Sequence, residues 1–226
     1  MYGTFRKLLI SLAVWWYTRA HGRINVGLAR MAIRSALFVR RRCAMLVVVT
    51  LCVFATWNAG QAGYIQAKAG VAQWLLDRSW NKTQQTGERI RPWQWADTWP
   101  VARLRLPRQA RDMVVLEGAS GRNLAFGPAH LSATAMPGTA GNSAIAGHRD
   151  THFAALQSVA PGDPVVLETT HGTHSYEVAD VAVVHESDLS VLLEDGINSL
   201  TLITCHPFAG VNPGTPWRYV VRARAD

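Results

Sequence analysis

The chain reads as a mainly β domain, a barrel or sandwich of about seven or eight strands with one or two short helices, preceded by one membrane-spanning helix. Three observations predict this. Beyond Pro100 the sequence breaks into short β-branched runs separated by Gly, Pro, Asn and Asp. From Cys43 to Ala59 it holds 17 residues without a charge. Ten of its 23 Lys and Arg residues, and none of its 15 Asp and Glu residues, precede Asp77.

The charge pattern settles the N-terminal part first. The formal net charge of +8 invites a nucleic-acid reading, but residues 77–226 carry 13 basic against 15 acidic side chains, a net of −2. Phosphate binding draws its affinity from clustered cations on the folded domain, so nucleic acid is excluded as the main partner. The cations lie instead before the apolar run, ending in the triplet Arg40-Arg41-Arg42. The run CAMLVVVTLCVFATWNA is about 25 Å long as a helix, short for a bilayer, and continuation to Ile65 lengthens it. We therefore expect a basic cytoplasmic segment over 1–42 and a transmembrane signal-anchor over 43–65. Positive flanks stay inside, so the chain beyond Ile65 should lie outside. Two other readings compete: a cleaved signal peptide with small residues near Ala59–Ala62, which lacks a clean A-x-A site, and a second short span at Leu8–Tyr17, whose ten residues are too few. Met31 or Met45 is an alternative start, which would make residues 1–30 an extension.

Residues 66–100 read as a juxtamembrane helix and linker. Ile65, Ala69, Ala72, Leu75 and Leu76 recur near helical spacing. The stretch 81–100, with Pro92, Pro100 and Trp93, Trp95 and Trp99, shows neither period. Its Trp cluster suits a membrane interface, or an arm packed over a site.

From 101 to 226 the runs MVVLE, SAIAG, PVVLET, SYEVADVAVV, SLTLIT and WRYVVRA have the length and composition of antiparallel strands. Only FAALQSV, after Thr151-His152, has helical character.

One residue in this domain asks for a chemical explanation. Of three cysteines, Cys43 and Cys52 fall in the apolar run, where a thiol acts as a small hydrophobe. Cys205 stands alone in the β domain, without a disulfide partner. Alternation along Ser199–Cys205 puts Leu200, Leu202 and Thr204 on one face and Thr201, Ile203 and Cys205 on the other. The thiol sits at the strand's end, beside the Gly- and Pro-rich loop HPFAGVNPGTP. An ordinary thiol is mostly protonated at neutral pH, and a nearby cation would raise its thiolate fraction. His148, ending SAIAG, and Arg218, opening the hairpin strand WRYVVRA, are the candidates. An Arg stays charged at any useful pH and can donate to a developing oxyanion.

TLITC followed by PWRYVV and preceded by GTAGNSAIAGHRDTHFAAL resembles the signature of sortases, closest to class D-like enzymes and their Gram-negative relatives. The resemblance covers about residues 112–226, from VVLEGASGRNLAFGPAH through the Pro161-Gly162-Asp163 turn. It implies an eight-stranded barrel as a catalytic domain over 101–226, with Cys205 as nucleophile, His148 as acid/base and Arg218 as carbonyl stabiliser. Thr204 becomes a candidate for positioning substrate; His130 and His152, near His148 in sequence, are candidate secondary site residues, of a kind that more often supports loops. The implied reaction attacks the Thr–Gly carbonyl of an LPxTG-like sorting signal on a surface protein and passes the acyl group to an amine acceptor. The implied location is a bacterial inner or plasma membrane, with the domain periplasmic if the envelope is Gram-negative.

Plainer readings stand beside these. His148 can be a turn-capping histidine, and Asp150 a turn former rather than a third catalytic member. Arg149 and Arg222 are the rivals for Arg218, and His152 reads as loop support. Cys205-His206 suggests metal ligation, but no CxxC or HExxH spacing appears; neither metal nor cofactor is predicted. Two other functions compete: an L,D-transpeptidase-like enzyme, which would carry a SHGCxR-like run, and a non-catalytic envelope-binding β module.

Overall fold

The computed structural model describes residues 15, 19, 26–193, 198–210 and 214–225. The stretch Leu8–Tyr17, apart from Trp15, lies outside the described residues, as does most of the basic segment 1–42 before Val26. The chain forms two compact units, Met1–Tyr64 and Ile65–Asp226.

Helix α1 runs from Val26 to Thr86. Within the first unit its described side chains are exposed all round, from Leu46 through Phe54 to Trp57. A helix apolar on every side is suited to lipid rather than to water, and Ile33–Thr86 contains a window long and apolar enough to cross a membrane. Within the second unit the same helix changes character. Ala72, Leu76, Ser79, Trp80 and Thr83 form a buried stripe at spacings of three and four. Trp80, 1% exposed, packs with Leu76 against Val114, Leu116 and Ala129. The helix continues six residues into the polar stretch 81–100, ending where Gly87 adopts a positive φ of 72° and donates to Thr83 O, a common helix stop.

Eight strands complete the second unit: β1 Pro100–Leu106, β2 Arg111–Glu117, β3 Ala129–His130, β4 Asn142–Ala146, β5 Pro164–Thr169, β6 Gly172–His185, β7 Ser199–His206 and β8 Trp217–Ala225. They close into a barrel in the order β1-β2-β3-β4-β7-β8-β6-β5. Closure pairs every strand on both sides and leaves no edge. The pairs β2–β3 and β4–β7 are parallel, the others antiparallel. Inward residues fill the interior: Leu104 and Leu106 from β1, Ile145 from β4, Leu167 from β5, Leu200 and Leu202 from β7. Phe153 and Leu156, from FAALQSV, cap it, but this segment is a 3-10 turn over Ala154–Ser158 rather than an α-helix. A single α-turn, α2, spans Gly121–Leu124.

Between α1 and β1 the chain is stitched to β2: Thr98 Oγ1 donates to Glu117 O at 2.7 Å and Glu117 N to Trp99 O at 2.9 Å. Trp93 meets Phe126 edge-on at 4.9 Å, and Arg89 lies 5.1 Å from the Trp99 ring centre. Of these tryptophans, Trp93 packs against the cluster that holds Leu76 and Trp80 of α1 and against Phe126, Trp99 lies beside β2, and Trp95 is exposed.

Candidate active site

The site is set by three adjacent strands. Along β7, Leu200, Leu202 and Thr204 face the interior, so alternation sends Cys205 to the outer face, where it is half-buried and its thiol is free. The antiparallel ladder with β8 sets Arg218 opposite Cys205. On the other side β4 runs parallel to β7, each residue level with the one 57 positions later, through Ala146↔Ile203. Gly147 carries this on, donating to Ile203 O at 3.0 Å and accepting from Thr204 Oγ1 at 2.7 Å. The same offset, extended one step further, brings exposed His148 level with Cys205. Cys205 and Arg218 therefore face each other across β7 and β8, and His148 follows two residues after the end of β4, the other neighbour of β7.

The turn after His148 is closed by Phe153 N donating to His148 O at 2.9 Å. Gly147 lies on the Phe153 ring, where a Cβ would stand 2.7 Å from ring atoms. His152, half-buried in this turn, is held below its ordinary pKa, chiefly by burial and also by the charges of Arg111 and His148.

Arg218 is well anchored. Its Nη2 is 2.6 Å from Glu186 Oε2, and its Nη1 donates to Thr215 O at 2.6 Å and Trp217 O at 3.0 Å. Its charge is thus shared with a carboxylate just past the end of β6.

Two expected substrate contacts are sealed. Thr204 is 2% exposed and its hydroxyl ties β7 to β4. His130 is fully buried: Nδ1 faces Glu117 Oε2 at 2.9 Å and Nε2 donates to Ala135 O at 3.0 Å. Burial works to raise the Glu117 pKa, but the bonds from His130 and Ser132 outweigh it and hold the carboxyl below its ordinary value. Neither Thr204 nor His130 presents a surface to a peptide.

The Sortase domain family matches residues 104–226, more than half of the chain. The chain belongs to the sortase family. Sortase D of Bacillus subtilis (strain 168) is 29% identical over 119 residues, covering 52% of this chain and 60% of the relative. Sortase A of Bacillus anthracis is 28% identical over 109 residues, covering 46% and 51%. The chain thus spans about half to three-fifths of the length of these curated relatives. Among solved structures, sortase A from Corynebacterium diphtheriae has a TM-score of 0.53 at 32% identity, over 60% of this chain and 64% of that one. A Clostridium perfringens sortase D5 transpeptidase has a TM-score of 0.57 over 70% of this chain and 99% of that one; at 23% identity this likeness speaks for the fold alone.

Within this sortase the rival arginines stand elsewhere. Arg222 pairs with Thr201, four residues from Arg218 and so about 13 Å along the strand. Arg149 is buried and donates through Nη2 to Gly210 O at 2.7 Å, holding the loop after Cys205. Glu186 and the anchoring role of Arg149 were not singled out from the sequence. Glu186 had one readable signal, an acid at the turn after the strand SYEVADVAVV.

Proposed function

We propose that this sortase is a membrane-anchored cysteine transpeptidase that cleaves an LPxTG-like C-terminal sorting signal and transfers the acyl group to an amine. The observation that supports this reading is the pairing of Cys205 with Arg218 across β7 and β8, with His148 just past the end of β4, the strand on the other side of β7. Cys205 thiolate attacks the scissile Thr carbonyl carbon; the C–S bond forms as the carbonyl π electrons move to oxygen. Arg218 stabilises that oxyanion. The intermediate collapses to a thioester, and the departing Gly nitrogen takes its proton from the His148 imidazolium. An incoming amine then attacks the thioester and gives its proton to His148, now neutral, while Cys205 leaves as thiolate. The products are one new amide and the starting enzyme. In this scheme Arg149, Thr204 and Gly147 position the catalytic residues without touching substrate.

The basic residues before the apolar stretch of α1 support a single pass with the N-terminus cytoplasmic, which puts the barrel outside the membrane, periplasmic if the envelope is Gram-negative. The substrate this chemistry requires is a surface protein ending in such a signal.

Intact-mass spectrometry of the detergent-solubilised full chain, incubated with LPxTG-like peptides, tests the proposal. A mass increase equal to the peptide's N-terminal fragment, lost in Cys205→Ala, is expected. Failure of every peptide to add to a folded chain whose Cys205 also resists alkylation would overturn it.

A further inference from the structure

A groove of about 550 Å³ opens in the second unit beside the early turns of its helix. One wall is the α1 face bearing Lys68, Val71 and Leu75; the other is built from Trp93, Trp95 and Phe126. The ion pair Arg122–Asp97, at 3.3 Å, stands at its rim. Trp95 is 81% exposed and Val71 57%. Both side chains open an apolar lining to the surface of the second unit.

The sequence distance from the apolar span identifies that partner. The α1 face of the groove begins three residues after Ile65 and ends ten after it, about 5–15 Å further along a helix. That stretch begins in the interfacial layer that flanks a hydrocarbon core about 30 Å thick. Indole rings concentrate in that layer because they offer an apolar body and a polar N–H. Lys68 can lie along the groove with its ammonium among lipid phosphates. By contrast, Leu76 and Trp80, further along α1, find their apolar partners on the barrel.

We infer that this groove is a membrane-docking surface, with Trp93, Trp95, Val71 and Leu75 seated at the headgroup–acyl boundary of the bilayer that holds the anchor. The inference rests on the membrane-anchor reading. Docking restricts the swing of the barrel and holds Cys205 at a set height above the lipid, where a substrate with its own membrane tail would present its sorting signal.

The test uses the full chain with Cys43→Ser, Cys52→Ser and Cys205→Ala, reconstituted in phosphatidylcholine–phosphatidylglycerol vesicles. A fluorescent NBD label is placed at Gln94→Cys, beside the groove, or at Val48→Cys, within the apolar span. Nitroxide lipids bearing the quencher deep in the acyl chain should quench the Val48 label. Lipids bearing it near the headgroup should quench the Gln94 label more strongly than aqueous iodide does. In the doubly substituted Val71→Asp, Trp95→Asp chain, which changes two exposed positions, the Gln94 label should lose lipid quenching and become open to iodide. A Gln94 label already open to iodide in the unsubstituted groove, with Val48 still quenched by lipid, would overturn docking and leave the anchor standing. A Val48 label untouched by lipid quenchers would overturn the anchor and the docking with it.

Discussion

Arg218 faces Cys205 across the ladder while its guanidinium is bonded to Glu186. The carboxylate offsets part of the positive field that would favour a thiolate on the neighbouring strand. Glu186→Gln should therefore speed alkylation of Cys205 by iodoacetamide at neutral pH. The expected increase is about twofold in rate. In an Arg218→Ala background the effect should vanish; an unchanged rate in the single variant would show that the pair is only structural. His152 makes a pH prediction. Its folded pKa is depressed by burial and neighbouring cations, so the unfolded chain takes up the proton first. Stability should fall as pH drops through about 6.5. Thermal melts between pH 7.5 and 5.5 should show a smaller loss for His152→Gln than for the parent chain. Thr204 shows how far residue-level reading reached. Alternation already placed it with Leu200 and Leu202, and that face proved to be the barrel interior, where its hydroxyl bonds Gly147 O.

Among the strands and helices, the β4–β7 contact carries His148. Gly147 is needed there because of the Phe153 ring, not because of its backbone angles. Gly147→Ala should cost about 1–3 kcal/mol through overpacking and slow formation of the Cys205 acyl adduct by displacing His148. Differential scanning calorimetry and the peptide-adduct assay would measure the two effects. The second element to test is α1: Trp80→Ala removes a side chain buried on β2 and should destabilise the second unit by about 3–5 kcal/mol, visible as a lowered barrel melting temperature. Six strands were legible because their β-branched runs are bounded by turn residues. β1 was not, since VARLRL alternates core residues with Arg103 and Arg105, whose charges are taken up by Asp112 and Glu168. β3 has two residues and no period to read. The β7–β8 pairing was legible from a short connection, but the parallel β4–β7 pairing joins residues 57 apart, and no local pattern announces it.

Across the full chain, the separation of charge is the feature that survives from composition to function. The excess cations belong to the N-terminal segment and the barrel-bearing part is slightly acidic. In spheroplasts, a membrane-impermeant maleimide should label Cys205 and spare Cys43 and Cys52; the reverse pattern, or equal labelling, would exclude the proposed orientation. Periodicity left barrel and sandwich open; the resemblance implied the barrel, and the closed strand order bears it out. Neighbouring strands stand about 4.8 Å apart whatever their loops contain, so the spacing of Cys205 and Arg218 is inherited from the β7–β8 ladder, and His148 hangs two residues past the β4–β7 ladder. Under the proposed function, loops such as the one between β7 and β8 can then be lengthened, shortened or exchanged to fit a different peptide while Cys205 and Arg218 keep their distance. Specificity can diversify here without the chemistry having to be rebuilt each time.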